Sequence, residues 1–205
     1  KTIIEHIMDQ FLEIGCDEFI LSLNYKAGFI KDYLTNYVPK KYNLTFVEED
    51  QPLGTGGSLS LVRELIHSTF FVSNCDILLD QDLSEILDFH FENKNDLTII
   101  AALKHFHIPY GTIETAEKGK LIRIREKPEI TFKVNSGLYI LEPDLLNSID
   151  QNKHLNITDF IETLATSGKN VGVFPVSESS WIDIGDWKEY LKISHIGDHA
   201  DTSHR

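Results

Sequence analysis

The chain is poor in residues that staple, stiffen or anchor a protein. Its 205 residues include two cysteines, one methionine, two tryptophans, six prolines and twelve glycines. Cys16 and Cys75 are far apart and follow no metal-binding spacing, so no disulfide framework or thiolate metal cluster is expected, and a reducing compartment suits them. The low glycine and proline content excludes a collagenous or low-complexity chain. The longest apolar run, Leu97 to Leu103, stops at Lys104 and is far short of a membrane span. No signal peptide is read, since Lys1 leads directly into a helical pattern. A cytoplasmic location without a membrane partner is therefore expected.

Positive charge is scarce as well. Lys plus Arg number 19 against 32 Asp plus Glu, a net charge of −13 with histidines neutral. The basic residues are scattered singly or in pairs and form no patch. Such a surface repels phosphate backbones, so nucleic acid is not an expected partner. A small anionic ligand requires a metal ion or a few local cations to offset the field.

What is present is an ordinary globular composition, 41% hydrophobic and 25% charged. A single domain of this length buries about 70% of the surface its unfolded chain exposes, enough for a core without staples. Ile3, Ile4, Ile7, Met8, Phe11 and Leu12 recur at helix spacing, with Gly15 as the stop. Glu18 to Leu23 reads as a strand, Lys26 to Tyr37 as a helix ended by Pro39, and Leu44 to Glu48 as a strand. A glycine-rich turn, Gln51 to Gly57, precedes an expected helix from Ser58 to Leu65. The strand Thr69 to Ser73, the helix Leu83 to Phe91 and the strand Asp96 to Leu103 complete an alternation that predicts parallel α/β architecture.

After Pro109 the rhythm changes. Gly111 to Thr115, Leu121 to Arg125 and Lys133 to Leu141 are strands without a long helix between them, which predicts an antiparallel extension. Leu145 to Ile149 and Ile157 to Leu164 read as helical, Val171 to Val176 as a strand and Trp187 to Ile193 as a helix. Gly197 to Arg205 reads as a frayed polar tail after a domain spanning residues 1–196.

Four constellations carry possible chemistry. In Gln51-Pro52-Leu53-Gly54-Thr55-Gly56-Gly57-Ser58 the glycines let backbone approach a flat or anionic ligand. The same residues also suit a tight turn with Thr55 or Ser58 as a helix cap. Asn74-Cys75-Asp76 ends the most apolar strand, and strand carboxyl ends are where open α/β sheets bind ligands. Asp76 there suits a hard cation such as Mg²⁺, or a turn cap. Arg125-Glu126-Lys127-Pro128 offers a cation for a phosphate and an acceptor for hydroxyls, or simply a solvated strand end. In Trp181-Ile182-Asp183-Ile184-Gly185 the carboxylate lies among apolar residues, costly to bury unless paired, metal-bound or capping a turn. Cys75 is taken as a small buried residue, and Glu48-Glu49 as a solvated strand end. Asp80 and Asp82 are expected to start the next helix.

Taken in order, these segments resemble the sugar-phosphate nucleotidyltransferases, nearest the mannose-1-phosphate guanylyltransferase-like branch. The likeness runs from Ile3-Ile4-Glu5-His6 through Leu53 to Leu59, Asn74-Cys75-Asp76, Tyr110-Gly111, Glu126-Lys127-Pro128 and Val134-Asn135-Ser136-Gly137-Leu138-Tyr139 to Trp181-Ile182-Asp183-Ile184-Gly185. The resemblance implies a Rossmann-like, mixed but mostly parallel sheet flanked by helices, with a small antiparallel sugar-binding extension. It implies joining of a nucleoside triphosphate, GTP favoured, to a sugar-1-phosphate with release of pyrophosphate. Asp76 and Asp183 would hold Mg²⁺, and with Lys127 they form the expected catalytic set. Gln51, Gly54, Thr55 and Gly56 would meet the nucleotide. Gly111, Glu126, Lys127 and Asn135 would take the sugar phosphate. A homo-oligomer is in keeping with the family. The family's glycine-rich triphosphate loop and its arginine do not occur in this sequence, so the chain is expected to be a fragment that does not turn over as it stands.

Overall fold

The computed structural model describes residues 1–185; the expected helix Trp187 to Ile193 and the tail from Gly197 lie outside them. Helix α1, Ile3–Glu13, opens with the Glu5 carboxylate accepting both the Thr2 N–H at 2.7 Å and the Thr2 hydroxyl at 2.8 Å. It closes at Gly15, whose φ of +83° is the left-handed conformation that glycine adopts without penalty. Strand β1, Glu18–Leu23, helix α2, Ala27–Asn36, and strand β2, Asn43–Glu48, follow, and β1 and β2 pair in parallel from Glu18↔Asn43 to Leu23↔Glu48. This right-sized crossover works because Leu34 of α2 buries with Val38, Tyr42 and Met8 of α1.

The glycine turn becomes a single helical turn, α3, Gly54–Gly57, continued by a 3₁₀ turn over Ser58–Val62. The helix expected from Ser58 to Leu65 is thus shorter and tighter. Glycine contributes little to helix propagation, and the Ser60 hydroxyl bonds back to the Gly57 carbonyl at 2.7 Å. Strand β3, Phe70–Ser73, and the three-residue strand β4, Ile77–Leu79, lead into helix α4, Leu83–Glu92. Asp82 caps α4 as expected, its side chain accepting the Ser84 N–H at 2.8 Å.

Strand β5, Leu97–His107, is longer than its apolar run and crosses the whole sheet. The hairpin of β6, Thr112–Thr115, and β7, Leu121–Arg125, forms two strands of the expected antiparallel extension; the third, Lys133 to Leu141, belongs instead to the main sheet, where it runs antiparallel to its neighbours. Strand β8, Glu129–Leu141, helix α5, Ile157–Thr166, strand β9, Val171–Val176, and strand β10, Trp181–Asp183, complete the described elements. The expected helix from Leu145 is a 3₁₀ turn over Pro143–Ser148.

The main sheet has the order β3-β8-β5-β9. β8 runs antiparallel to both β3 and β5, while β5 and β9 are parallel, so three strands share a direction and β8 is reversed between two of them. Two core clusters flank it. One joins Ile7 and Phe11 of α1 to Ile86 of α4 and to Ile100 and Ile140 of the sheet; the other sets Phe160 and Leu164 of α5 against Leu97, Tyr139 and Leu141. Burying each such side chain contributes about 1.5–3 kcal/mol. No ladder joins β1 to β3 among the described residues; Phe11 spans the break, its ring 6.4 Å from Phe19 of β1 and 5.1 Å from Phe71 next to it. No described helix is long and apolar enough to cross a membrane.

Candidate functional site

Strands β4 and β10 pair antiparallel with Asp183 opposite Ile77, the residue after Asp76. The ladder continues through Ile184 N–H to the Asp76 carbonyl at 2.8 Å. This brings together two carboxylates that are more than a hundred residues apart in sequence. A β-carbon placed on Gly185 would lie 3.0 Å from Asp183 Oδ1 and 3.2 Å from Asp76 Oδ2, so both groups face the space over that glycine. Gly185 N–H also donates to Asp183 Oδ1 at 2.9 Å, so Asp183 fills the turn-capping role as well as standing beside Asp76.

These carboxylates open on a cleft of about 310 Å³. Its other walls include Thr55, Asn74, Asn135, Thr158 and Trp181. Ile157 and Thr158, the first residues of α5, also line it, so the positive end of that helix borders the cleft.

The wall from β8 is a bulge. Ile99 pairs with Tyr139 and Ala101 with Asn135, which leaves Ser136, Gly137 and Leu138 opposite Ile100 alone. Gly137 has φ of +86°. The Ser136 hydroxyl donates to the Ile100 carbonyl at 2.7 Å and pins the bulge to β5. Asn135 spends its amide locally, donating to the Tyr139 hydroxyl at 2.6 Å and accepting the Gly137 N–H at 3.3 Å. Tyr139 is buried, and burial pushes its phenol pKa upward.

The glycine turn forms another wall, in a different way from the open approach its composition suggested. Gly56 and Gly57 N–H groups both donate to the Leu155 carbonyl, at 2.8 and 3.1 Å. A β-carbon on Gly54 would stand 2.8 Å from that carbonyl, and one on Gly57 would collide with the Lys153 carbonyl. The glycines therefore admit the backbone of residues 153–157. Thr55 is the exposed member and lines the cleft; its hydroxyl accepts the Ile157 N–H at 3.0 Å, capping α5 rather than a helix of its own. Ser58 makes no capping bond. Gln51 is exposed, bonding only loosely to the Asn152 carbonyl at 3.5 Å, and does not line the cleft.

Gly111, Glu126 and Lys127 form a second group at the base of the β6–β7 hairpin. Glu126 Oε2 would lie 3.0 Å from a Gly111 β-carbon, and Lys127 has φ of +43°, the left-handed region. All three are exposed and none lines the cleft. Two smaller expectations are corrected. Cys75 is exposed because it sits in the open turn between β3 and β4. Glu49 is engaged, accepting the Leu53 N–H at 2.9 Å and the Ser22 hydroxyl at 2.7 Å, and so fastens the start of the glycine turn to β1.

The family model described as nucleotidyl transferase matches residues 1–198. The chain belongs to this family. Among curated relatives, it is 30% identical over 197 residues to the mannose-1-phosphate guanylyltransferase catalytic subunit beta of Dictyostelium discoideum, an alignment covering 93% of the chain and 54% of that protein. It is 30% identical over 200 residues to the mannose-1-phosphate guanyltransferase of Saccharomyces cerevisiae, covering 93% and 55%. The chain thus spans about half the length of these relatives. Among solved structures, HddC from Yersinia pseudotuberculosis complexed with GMP-PN is 26% identical with a TM-score of 0.72, covering 94% of this chain and 84% of HddC. A nucleotidyltransferase architecture accounts for the mixed sheet, the helices on it and the antiparallel hairpin.

Several cleft residues of this family member carried no functional signal in the sequence. Ile157 and Thr158 read only as the start of a helix. Asn74, Ser136, Gly137 and Trp181 lay inside the quoted motifs, but their hydrogen bonds link segments that sequence spacing does not relate.

Proposed function

We propose that the cleft joins a nucleoside triphosphate to a sugar-1-phosphate, forming a nucleoside-diphosphate sugar and releasing pyrophosphate. The observation that carries this reading is the convergence of Asp76 and Asp183 over Gly185 at the mouth of a polar cleft. The names of the relatives, guanylyltransferases acting on mannose 1-phosphate, and the GMP-PN complex of HddC support a guanine nucleotide and a hexose-type sugar phosphate such as mannose 1-phosphate.

The donor set fits Mg²⁺. Two carboxylates face one space, and no cluster of three or more His, Cys, Asp or Glu side chains suited to a metal is found among the described residues. Mg²⁺ commonly binds through one or two carboxylates and keeps its remaining positions for water and substrate phosphates. When bound, it neutralises phosphate charge, which matters in a chain of net charge −13.

The reaction asks little covalent work of the protein. A phosphate oxygen of the sugar-1-phosphate attacks the α-phosphorus, the new P–O bond forms, and the α–β anhydride bond breaks with its electron pair leaving on pyrophosphate. Positioning and charge neutralisation supply most of the acceleration. Asp76 and Asp183 hold the cation side of the cleft. Thr55 and the adjoining glycine turn border the nucleotide side, and the N-terminal end of α5 adds a favourable field for anionic groups. Asn135 lines the sugar side of the cleft, with its amide held by Tyr139 and Gly137. Glu126 and Lys127, expected to take the sugar hydroxyls and phosphate, stand outside the cleft at the base of the hairpin and are given no part in this step.

The test is pyrophosphate release by the protein as its gene encodes it, with GTP, UTP, dTTP and CTP arrayed against sugar-1-phosphates, mannose 1-phosphate among them, in Mg²⁺ and in EDTA. Metal-dependent release with GTP is expected, and Asp76→Ala and Asp183→Ala should each lower it by about 100-fold or more. Release that persists in EDTA, or near-normal rates in either variant, would overturn the assignment. Nucleotide-sugar binding without any turnover would point to a sensor instead.

A further inference from the structure

Strands β4 and β10, which carry the two carboxylates, share no ladder with the main sheet among the described residues. They are tied to it through the bulge of β8. Asn74 N–H donates to the Gly137 carbonyl at 2.9 Å, and Trp181 Nε1–H donates to the Ser136 carbonyl at 3.0 Å. The two acceptors are consecutive carbonyls. Each donor residue stands two positions ahead of a carboxylate, Asn74 before Asp76 and Trp181 before Asp183. Residues two apart on a strand project from the same face, so the Trp181 indole and the Asp183 carboxylate share a face of β10, and both line the cleft.

The Trp181 ring is held on other sides as well. Lys104 Nζ lies 5.2 Å from its centroid and 3.2 Å from the Glu178 carboxylate. Ser136, the acceptor, is 2% exposed and fixed to β5 by its own hydroxyl. The pairing of β10 with β4 is extended at both ends, by the Asp80 N–H to the Ser180 carbonyl at 2.7 Å and the Ile184 N–H to the Asp76 carbonyl at 2.8 Å, but none of these bonds ties the pair to the main sheet.

Resting on the reading that Asp76 and Asp183 hold a divalent cation, we infer that Trp181 is a positioning residue: its indole N–H fixes β10, and with it the Asp183 carboxylate, against the Ser136–Gly137 bulge to which Asn74 ties the Asp76 side. Without that bond β10 keeps its ladder to β4 but loses its reference to the rigid sheet, so the Asp183 carboxylate is aimed less firmly at the cation and binds it less well. The aromatic packing of Trp181 is separable from this role, because phenylalanine retains a ring and lacks the N–H.

The experiment titrates Mn²⁺ alone, followed by electron paramagnetic resonance, into the protein as its gene encodes it and into its Trp181→Phe, Trp181→Leu and Asp183→Asn variants, at a temperature well below every melting point. Trp181→Phe should weaken Mn²⁺ binding about fivefold or more while melting close to wild type. It should also raise the Mg²⁺ concentration that half-saturates pyrophosphate release. Trp181→Leu should show the same loss of affinity with an added drop in melting temperature. Equal Mn²⁺ affinity in wild type and Trp181→Phe overturns the inference, as does a loss of affinity that tracks melting temperature across the two Trp181 variants. Failure of wild type to bind Mn²⁺, or undiminished binding by Asp183→Asn, overturns instead the assignment of the carboxylates on which it rests.

Discussion

Asn74 occupies the space into which a side chain at Gly137 would grow: a β-carbon there would lie 2.6 Å from Asn74 Nδ2 and 3.2 Å from Asn74 Cβ. The φ of +86° at Gly137 adds a backbone reason for glycine. A left-handed conformation costs a residue with a β-carbon about 1–2 kcal/mol. Rotating the exposed Asn74 amide relieves the closest contact but leaves its β-carbon in place. Gly137→Ala should therefore lower stability by about 2 kcal/mol in urea unfolding. Asn74→Ala in that background should recover the steric part and leave the backbone part. A Gly137→Ala variant as stable as wild type would mean that the bulge relaxes at no cost.

A second contact joins distant parts of the cleft wall. The Thr55 hydroxyl accepts the Ile157 N–H at 3.0 Å, one of the free amides at the start of α5, while Asn156, the residue at the cap position, makes no side-chain capping bond. Thr55→Val keeps the shape and removes the acceptor. It should cost about 1 kcal/mol, the usual worth of an N-cap, whereas Thr55→Ser should stay near wild type. Equal unfolding midpoints for the valine and serine variants would show that water replaces the hydroxyl.

These two contacts mark where the sequence is legible. Asp76 and Asp183 are each visible locally as a carboxylate beside an apolar strand, but a turn cap explains either one alone, and only the ordered resemblance to a family joins them as a cation site. The α/β alternation and the antiparallel hairpin were equally local, carried by hydrophobic period and turn residues. The glycine turn was legible as a place where side chains are excluded, but not as to what excludes them. Composition cannot distinguish a ligand from residues 153–157 as the neighbour of Gly54 and Gly57. Thr158 stayed invisible for the same reason, since it reaches the cleft only because Thr55 anchors the start of α5. Strand β4 is three residues long, too short for any period to declare it.

Acid should weaken the fold through Asp96, next to the first residue of β5. Its carboxylate accepts the Asn170 N–H at 2.7 Å, with Lys169 Nζ 3.2 Å away. The Asn170 N–H, more than the Lys169 ammonium, holds its pKa below the ordinary 3.8, against a smaller opposing effect of burial. A carboxylate with a depressed native pKa is protonated first in the unfolded chain. Its contribution is therefore complete above about pH 5 and is lost as pH falls below about 4 toward the native pKa. Asp96→Asn removes the titration while keeping an oxygen for Asn170. In urea unfolding at pH 5, 4 and 3, the stability gap between wild type and Asp96→Asn should be widest at pH 5 and shrink at each step. Because the backbone bond dominates and the lysine is exposed to screening, added salt should change the gap little. A gap that stays constant from pH 5 to pH 3 would show that Asp96 titrates alike in the folded and unfolded chains, and the bond to Asn170 would then not be favouring the ionised form.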